Sequence, residues 1–204
     1  MQGPDPFIEL VPVDEATGAL KELYDALERV RGKGRVSNLF KAYGAFPELG
    51  LANFERLGVL LTQGSLSVLL KEAVMTALAV INHCDYCVSF HGSQMQNLGA
   101  NDEAIGAARE FDPDAIGLTE KERALFDYAM KANGDPHSIM AEDIAKCRAL
   151  GTTDAEFVEI LETVNTGNSF NTFAGALNIG ADEFLTYAMD EYRDKHPGVL
   201  AAGT

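Results

Sequence analysis

The hydrophobic positions of this chain recur with a helical period. After Asp14, the residues Leu20, Leu23, Tyr24, Leu27 and Val30 fall three and four apart, the spacing that lines one face of a helix. The stretch RGKGR at 31–35 closes that segment with two glycines and a basic cluster. Asn38 is placed to cap a short helical piece through Tyr43. Pro47 suits the first turn of a further helix, which turns Leu51, Phe54, Leu57 and Leu61 inward. Gly64 and Ser65 break it, and Ser67 caps VLLKEAVMTALAVI, apolar nearly all round and therefore expected at the centre. Thr119-x-x-Glu122 and Thr153-x-x-Glu156 read as capping boxes. The helix after Thr153 carries Phe157, Ile160, Leu161 and Val164 inward and continues through Phe173 and Leu177. Strand alternation with regular turn signals does not occur. The pattern predicts an all-α protein, a compact multi-helix bundle.

A short echo complicates the picture. NLGAND (97–102) and NIGADE (178–183) each follow a long helical stretch, 81 residues apart. Read as a repeat, they divide the chain into two related helical halves, with Asn165 and Asn168 opposite Cys84 and Cys87. Read as helix-ending chemistry, they are a Gly stop followed by an acidic cap, twice.

Length and charge bound the rest. The 204 residues suit a single domain, taken here as 1–204 with peripheral segments at 1–12 and 196–204. With 47% hydrophobic residues there is material for a sizeable core. A formal net charge of −15 argues against a nucleic-acid partner, because the phosphate backbone would be repelled. No apolar run approaches the roughly 20 residues of a membrane span, and MQGPDPFIEL lacks the features of a secretory signal. Three cysteines are too few for a stapled secreted scaffold, so a reducing, cytoplasmic setting is expected. Wide apolar faces on many helices point to a homo-oligomer.

The chemistry concentrates in INHCDYCVSFHGSQ (81–94). The apolar pattern fails at Asn82-His83, and Asn82 is expected to cap a new helix that ends at Gly99, with Asp85 in its first turn. Spacings of three and four then set Cys84, Cys87 and His91 on one stripe. A helix N-terminus favours the thiolate of Cys84. His91, one turn beyond Cys87, can take its proton or stabilise the anion. If the preceding helix packs closely, Glu72 can reach His91 and hold its tautomer. A C-x-x-C pair can close a disulfide, and a peroxide can oxidise one thiol to a sulfenic acid with which its neighbour condenses.

Those residues also carry a resemblance. Glu72, eleven residues, Cys84-Asp-Tyr-Cys87, three residues and His91 resemble the signature of the alkylhydroperoxidase D-like branch of the carboxymuconolactone decarboxylase superfamily. The likeness is strongest over 36–100, including S-N-L-F and F-P-E-L, and extends more loosely to 183. It implies an all-helical fold assembled as a trimer, hexamer or other homo-oligomer. It implies that Cys87 attacks the peroxide, Cys84 resolves it, and Glu72 and His91 relay protons to Cys87. No bound cofactor is implied; an external dithiol regenerates the pair. The best-known hydroperoxidase has a second histidine at the position of Tyr86. That base is lost here, and His83 beside Cys84 is the candidate to replace it in part. The lactone decarboxylases of the superfamily lack the cysteine pair.

Other readings stay open at this point. Cys84 and Cys87 can be small core residues, or zinc ligands with His91 and either His83 or Asp85. Glu72 can instead form a salt bridge around Lys71 or cap a helix elsewhere. The enzyme reading is a thiol-dependent peroxidase acting on a hydroperoxide; a lyase using Glu72 and His91, or a redox-responsive oligomeric module, are its rivals. Cys147, beside Ile144 and Leu150, is expected to be structural. Phe90, Met95 and Leu98 are expected to pack, and His137 and His196 to lie in a loop and a tail.

Overall fold

The computed structural model describes residues 5–185, and the segments 1–4 and 196–204, with His196, lie outside that range. Among the described residues the regular structure is helical: α1 Gly18–Arg31, α2 Asn38–Lys41, α3 Pro47–Thr62, α4 Val68–Ile81, α5 Asp85–Asn97, α6 Asp102–Arg109, α7 Glu120–Gly134, α8 Ala141–Ala149 and α9 Asp154–Ala176. The all-α reading of the sequence holds.

α4 is central, as its pattern required. Its two sides feed two cores. Met75 and Ala79 join a cluster built from α1, α2, α3 and the end of α9, whereas Leu70, Val74 and Leu78 join a second one built from α6, α7, α8 and the start of α9. Leu70, Val74 and Leu78 are fully buried, and each contributes about 1.5–3 kcal/mol of hydrophobic free energy. α9 runs beside α4 so closely at Gly167 that a Cβ there would sit 2.8 Å from Leu78 Cδ1. Ser67 Oγ accepts from the Leu70 N–H at the start of α4, and both Thr119 and Thr153 form complete capping boxes.

Three boundaries differ from expectation. α1 starts after Thr17 rather than at Asp14, and Val30 is 74% exposed; the inward face runs Leu20, Leu23, Leu27 and then Arg31. Ser37, not Asn38, precedes α2, and the Asn38 side chain instead donates to the Gly180 and Ala181 carbonyls. Asn82 closes α4 rather than opening α5, whose cap is Cys84 and whose first residue is Asp85. The reason is local: His83 adopts φ 53°, and the Cys84 N–H returns to the Ala79 carbonyl at 2.9 Å, a Schellman ending. Histidine is among the few side chains that tolerate this left-handed geometry.

The hexapeptide echo does not superpose. α5 ends with the Ala100 N–H on the Met95 carbonyl, and α9 ends with the Ile179 N–H on the Ala174 carbonyl. These equivalent positions are 79 residues apart rather than 81, so the two sequences share helix-ending chemistry two residues out of register. Residues 5–12 were expected to be peripheral but are tied down. The Phe7 N–H donates to the Leu177 carbonyl, the Tyr24 hydroxyl donates to the Val11 carbonyl, and Ile8, Leu10 and Val11 pack on the first core.

Candidate active site

Cys84 occupies two roles at once. It is the last residue of the α4 ending and the N-cap of α5, where its sulfur accepts the Cys87 N–H at 3.3 Å, the bond a Ser or Asp oxygen normally accepts at a cap. Cys87 lies one turn into α5, and the two form a disulfide with Cα atoms 5.3 Å apart. Both are buried, yet they differ in what they face. Cys87 lines a cavity of about 430 Å³, and Cys84 is not among the residues lining it.

Glu72 and His91 line the same cavity. Glu72 comes from the middle of α4 and His91 from the next turn of α5 after Cys87, and Glu72 Oε2 lies 2.7 Å from His91 Nδ1. Thr76 and Met95 meet one turn further along both helices, with Thr76 Oγ1 also donating to the Glu72 carbonyl. With the Nδ1 proton directed at the carboxylate, Nε2 is the nitrogen left to exchange protons. The salt bridge weighed for Glu72 near Lys71 does not form: Lys71 turns to the other side of α4, pairing with Glu159 at 2.5 Å and donating to the Leu60 carbonyl.

The remaining candidates separate clearly. Tyr86 lines the cavity, and its hydroxyl donates to Asp182 Oδ2 at 3.0 Å. Burial, and then the charge of Asp182, push the Tyr86 hydroxyl well above its ordinary value, so it stays protonated and offers no base. His83 is exposed at the α4–α5 link, and Asp85 is exposed beside it. Among the described residues, no group of three or more His, Cys, Asp or Glu is arranged to hold a metal ion. Phe90 corrects an expectation, since it lines the cavity; Met95 is buried and Leu98 exposed. Cys147 is buried on α8 with its thiol toward the Ala124 carbonyl, and burial raises its pKa. His137 lies exposed in a 3-10 turn.

Sequence reasoning missed Arg31, Ser37 and Asp182. Arg31 belongs in sequence to the basic cluster that ends α1, but it lines the cavity, packs over Phe90 at 5.0 Å and Phe40 at 5.7 Å, and donates to Ser37 Oγ at 3.1 Å. Burial lowers its pKa. A signal was present: Arg31 is four residues after Leu27, on the inward stripe. Asp182 accepts the Asn38 N–H as well as the Tyr86 hydroxyl, and burial raises its pKa. Nothing local marks a residue 144 positions from its partner.

Comparison with known proteins places this arrangement. Residues 47–131 match the model of the carboxymuconolactone decarboxylase family. No curated protein matches the chain. Among solved structures, the chain resembles an uncharacterised peroxidase-related protein with an alkylhydroperoxidase AhpD core from Ralstonia eutropha JMP134. The two are 20% identical with a TM-score of 0.77, over 88% of this chain and 94% of that one. A peroxidase-related protein from Silicibacter sp. TM1040 gives 24% identity and a TM-score of 0.76, over 92% and 98% of the two chains. The debrominase Bmp8, solved as a cysteine-to-alanine variant with 2,3,4-tribromopyrrole, gives 20% identity and a TM-score of 0.69, over 88% and 95%. The family match falls on the segment that carries Glu72, Cys84, Cys87 and His91, and the fold is shared along nearly the whole of these structures: the chain has an alkylhydroperoxidase D-like fold, and its residues 47–131 are similar to the carboxymuconolactone decarboxylase family.

Proposed function

We propose that this protein is a thiol-dependent peroxidase that reduces organic hydroperoxides through the Cys84–Cys87 couple. The observation that carries the reading is an asymmetry: Cys87 shares a cavity with the Glu72–His91 pair, while Cys84 is joined to it from outside that cavity. In the reduced protein His91 takes the proton of the Cys87 thiol, and the resulting thiolate attacks the terminal oxygen of the hydroperoxide. The O–O bond breaks, Cys87 becomes a sulfenic acid, and the departing alkoxide takes a proton from His91 to leave as an alcohol. The Cys84 thiol then attacks the Cys87 sulfur and expels water, giving the disulfide. An external dithiol supplies two electrons and two protons to restore both thiols and becomes a disulfide itself.

Glu72 orients the imidazole and stabilises its cationic form between the two transfers. Cys84, at the cap, has a backbone N–H aimed at its sulfur, which favours it as a leaving thiolate when the dithiol attacks Cys87. The need for that reductant suits a reducing, cytoplasmic compartment. Exposed Phe46 and Leu49 at the start of α3, with Val59 further along it, suit burial between copies in a homo-oligomer. Tyr86, a protonated phenol tied to Asp182, shapes the cavity rather than moving protons, and His83, exposed at the link, does not line it. The debrominase with the same fold shows that this scaffold also serves other reactions, so the cysteines must be tested directly.

Cys87→Ser is expected to abolish hydroperoxide consumption. Cys84→Ser is expected to stop after one oxidation, leaving a Cys87 sulfenic acid that a dione reagent captures. Full turnover by Cys87→Ser would overturn the proposal and favour the lyase chemistry of Glu72 and His91, which needs neither thiol.

A further inference from the structure

The peroxidase reading leaves Arg31 without a task, and the cavity suggests one. Its walls are mostly apolar: Phe40, Phe54, Leu57, Leu61, Phe90 and Phe170 surround the space beside Cys87. Into this wall α1 inserts a guanidinium. It is stacked against Phe40 and Phe90 and, among the described residues, makes one hydrogen bond, to the neutral Ser37 hydroxyl. Guanidinium has five N–H donors in a fixed fork, so the described residues leave most of its capacity unspent. The acids that face it are otherwise engaged. Glu72 is held by His91, and Asp182 by the Asn38 N–H and the Tyr86 hydroxyl. Among the described residues no carboxylate comes within 4.0 Å of Arg31. Arg35 lines the same cavity and adds a second positive charge.

A partly desolvated cation without a close counter-charge is costly on its own and becomes favourable when a ligand brings the anion. We infer that the cavity takes an organic anion, with a compact apolar body lying along the phenylalanine and leucine wall and one carboxylate paired with Arg31. Resting on the peroxidase reading, this makes the substrate a carboxylate-bearing hydroperoxide whose O–O group reaches Cys87 while its acid group is held at α1. Arg31 is then the specificity-determining residue, and the two ends of the ligand are read by two different helices. The volume, about 430 Å³, suits a substituted aromatic or a short branched acid.

The test uses a matched pair: cumene hydroperoxide bearing a para-carboxylate, and its methyl ester. Oxidation of the reduced protein is followed by stopped flow, and the acid-to-ester rate ratio is taken within each variant, so that any effect on folding cancels. The ratio is expected to be about 10 or more in the native protein, as for a charge-assisted hydrogen bond of roughly 1.5–3 kcal/mol. It should fall to near one in Arg31→Gln and be partly retained in Arg31→Lys. A native ratio near one, or a ratio unchanged by Arg31→Gln, overturns the inference. Calorimetric titration with the corresponding alcohols, which have no O–O bond, separates this inference from the reading beneath it. If neither hydroperoxide oxidises the thiols but the acid alcohol still binds in preference to its ester through Arg31, the peroxidase reading fails and the anion site stands. If the alcohols bind without preference, the anion site fails.

Discussion

Two adjacent residues of α4, Lys71 and Glu72, are both buried and both paired, one with a carboxylate and the other with an imidazole, yet the helix sends them to opposite ends of the molecule's business. Lys71 meets Glu159 of α9 and the Leu60 carbonyl. The Glu159 carboxylate in turn accepts the N–H groups of Ser65 and Leu66. That pair closes the α3–α4 turn onto α9, and every atom of it belongs to packing. Glu72 meets His91 beside Cys87 and opens on the cavity. The difference teaches that burial and pairing alone do not mark a catalytic carboxylate. What marks it is a partner that can give up a proton and a space where a substrate can stand.

The comparison breaks most visibly on the structural side. Lys71→Met leaves Glu159 as an uncompensated buried charge, and the expected loss is about 3–5 kcal/mol of folding stability, read as a lower urea midpoint. Gly64→Ala should act through the same pair, since a Cβ there would collide with the Glu159 carboxylate. The thiol oxidation rate per folded molecule should not move in either. If Lys71→Met slows oxidation without lowering the midpoint, the division between the two pairs is wrong.

Glu72→Gln should do the reverse. It keeps the shape and one hydrogen-bond acceptor, so stability should change little, while hydroperoxide oxidation of the thiols slows about 100-fold, the low end for a positioned acid–base pair. An unchanged rate would return Glu72 to a structural role.

Acid titration sharpens the contrast through a third carboxylate. Burial opposes ionisation of Glu156, but Lys121 at 2.6 Å and the Thr153 cap outweigh it and lower its pKa. A depressed folded value means that Glu156 stabilises the fold above its ordinary 4.5, and that this contribution is lost as pH falls through the folded value. Asp182 has the opposite sign: burial raises its pKa above 3.8, so ionising it weakens the fold as pH rises through that window. Glu156→Gln should therefore flatten the acid limb of the stability profile, and Asp182→Asn should steepen it. A limb unchanged by both would show that neither group is perturbed.

The smallest effect belongs to Cys147. Buried on α8 near Tyr128 and Ala124, it should remain a thiol when the other two oxidise, and Cys147→Ala should cost about 1 kcal/mol with no change in oxidation rate. Loss of that third thiol on mild oxidation would contradict its placement.

Much of this was legible in the sequence because it is local. The capping boxes at Thr119 and Thr153, the proline at the start of α3 and the apolar run of α4 each declare themselves within one or two turns. The spacing of Cys84, Cys87 and His91 on α5 was equally local, and Glu72 entered through a motif. The failures were of two kinds. At Asn82 a residue with equal claims to end one helix and begin the next was given the wrong one, because a histidine in the left-handed region is not visible in a pattern. At Arg31 the polar letter hid an inward position, and at Asp182 the partner lay across the whole chain.

One measurement bears most directly on the claim that Cys87 and Cys84 form a redox couple served by Glu72 and His91. Fully reduced protein is mixed with one equivalent of an organic hydroperoxide, and intact mass and free thiols are followed in the native chain and in Glu72→Gln. The account predicts rapid loss of two hydrogens in the native chain, with one thiol left at Cys147, and the same loss much more slowly in the variant. Three unreacted thiols in the native chain, or equal rates in the two proteins, would contradict it.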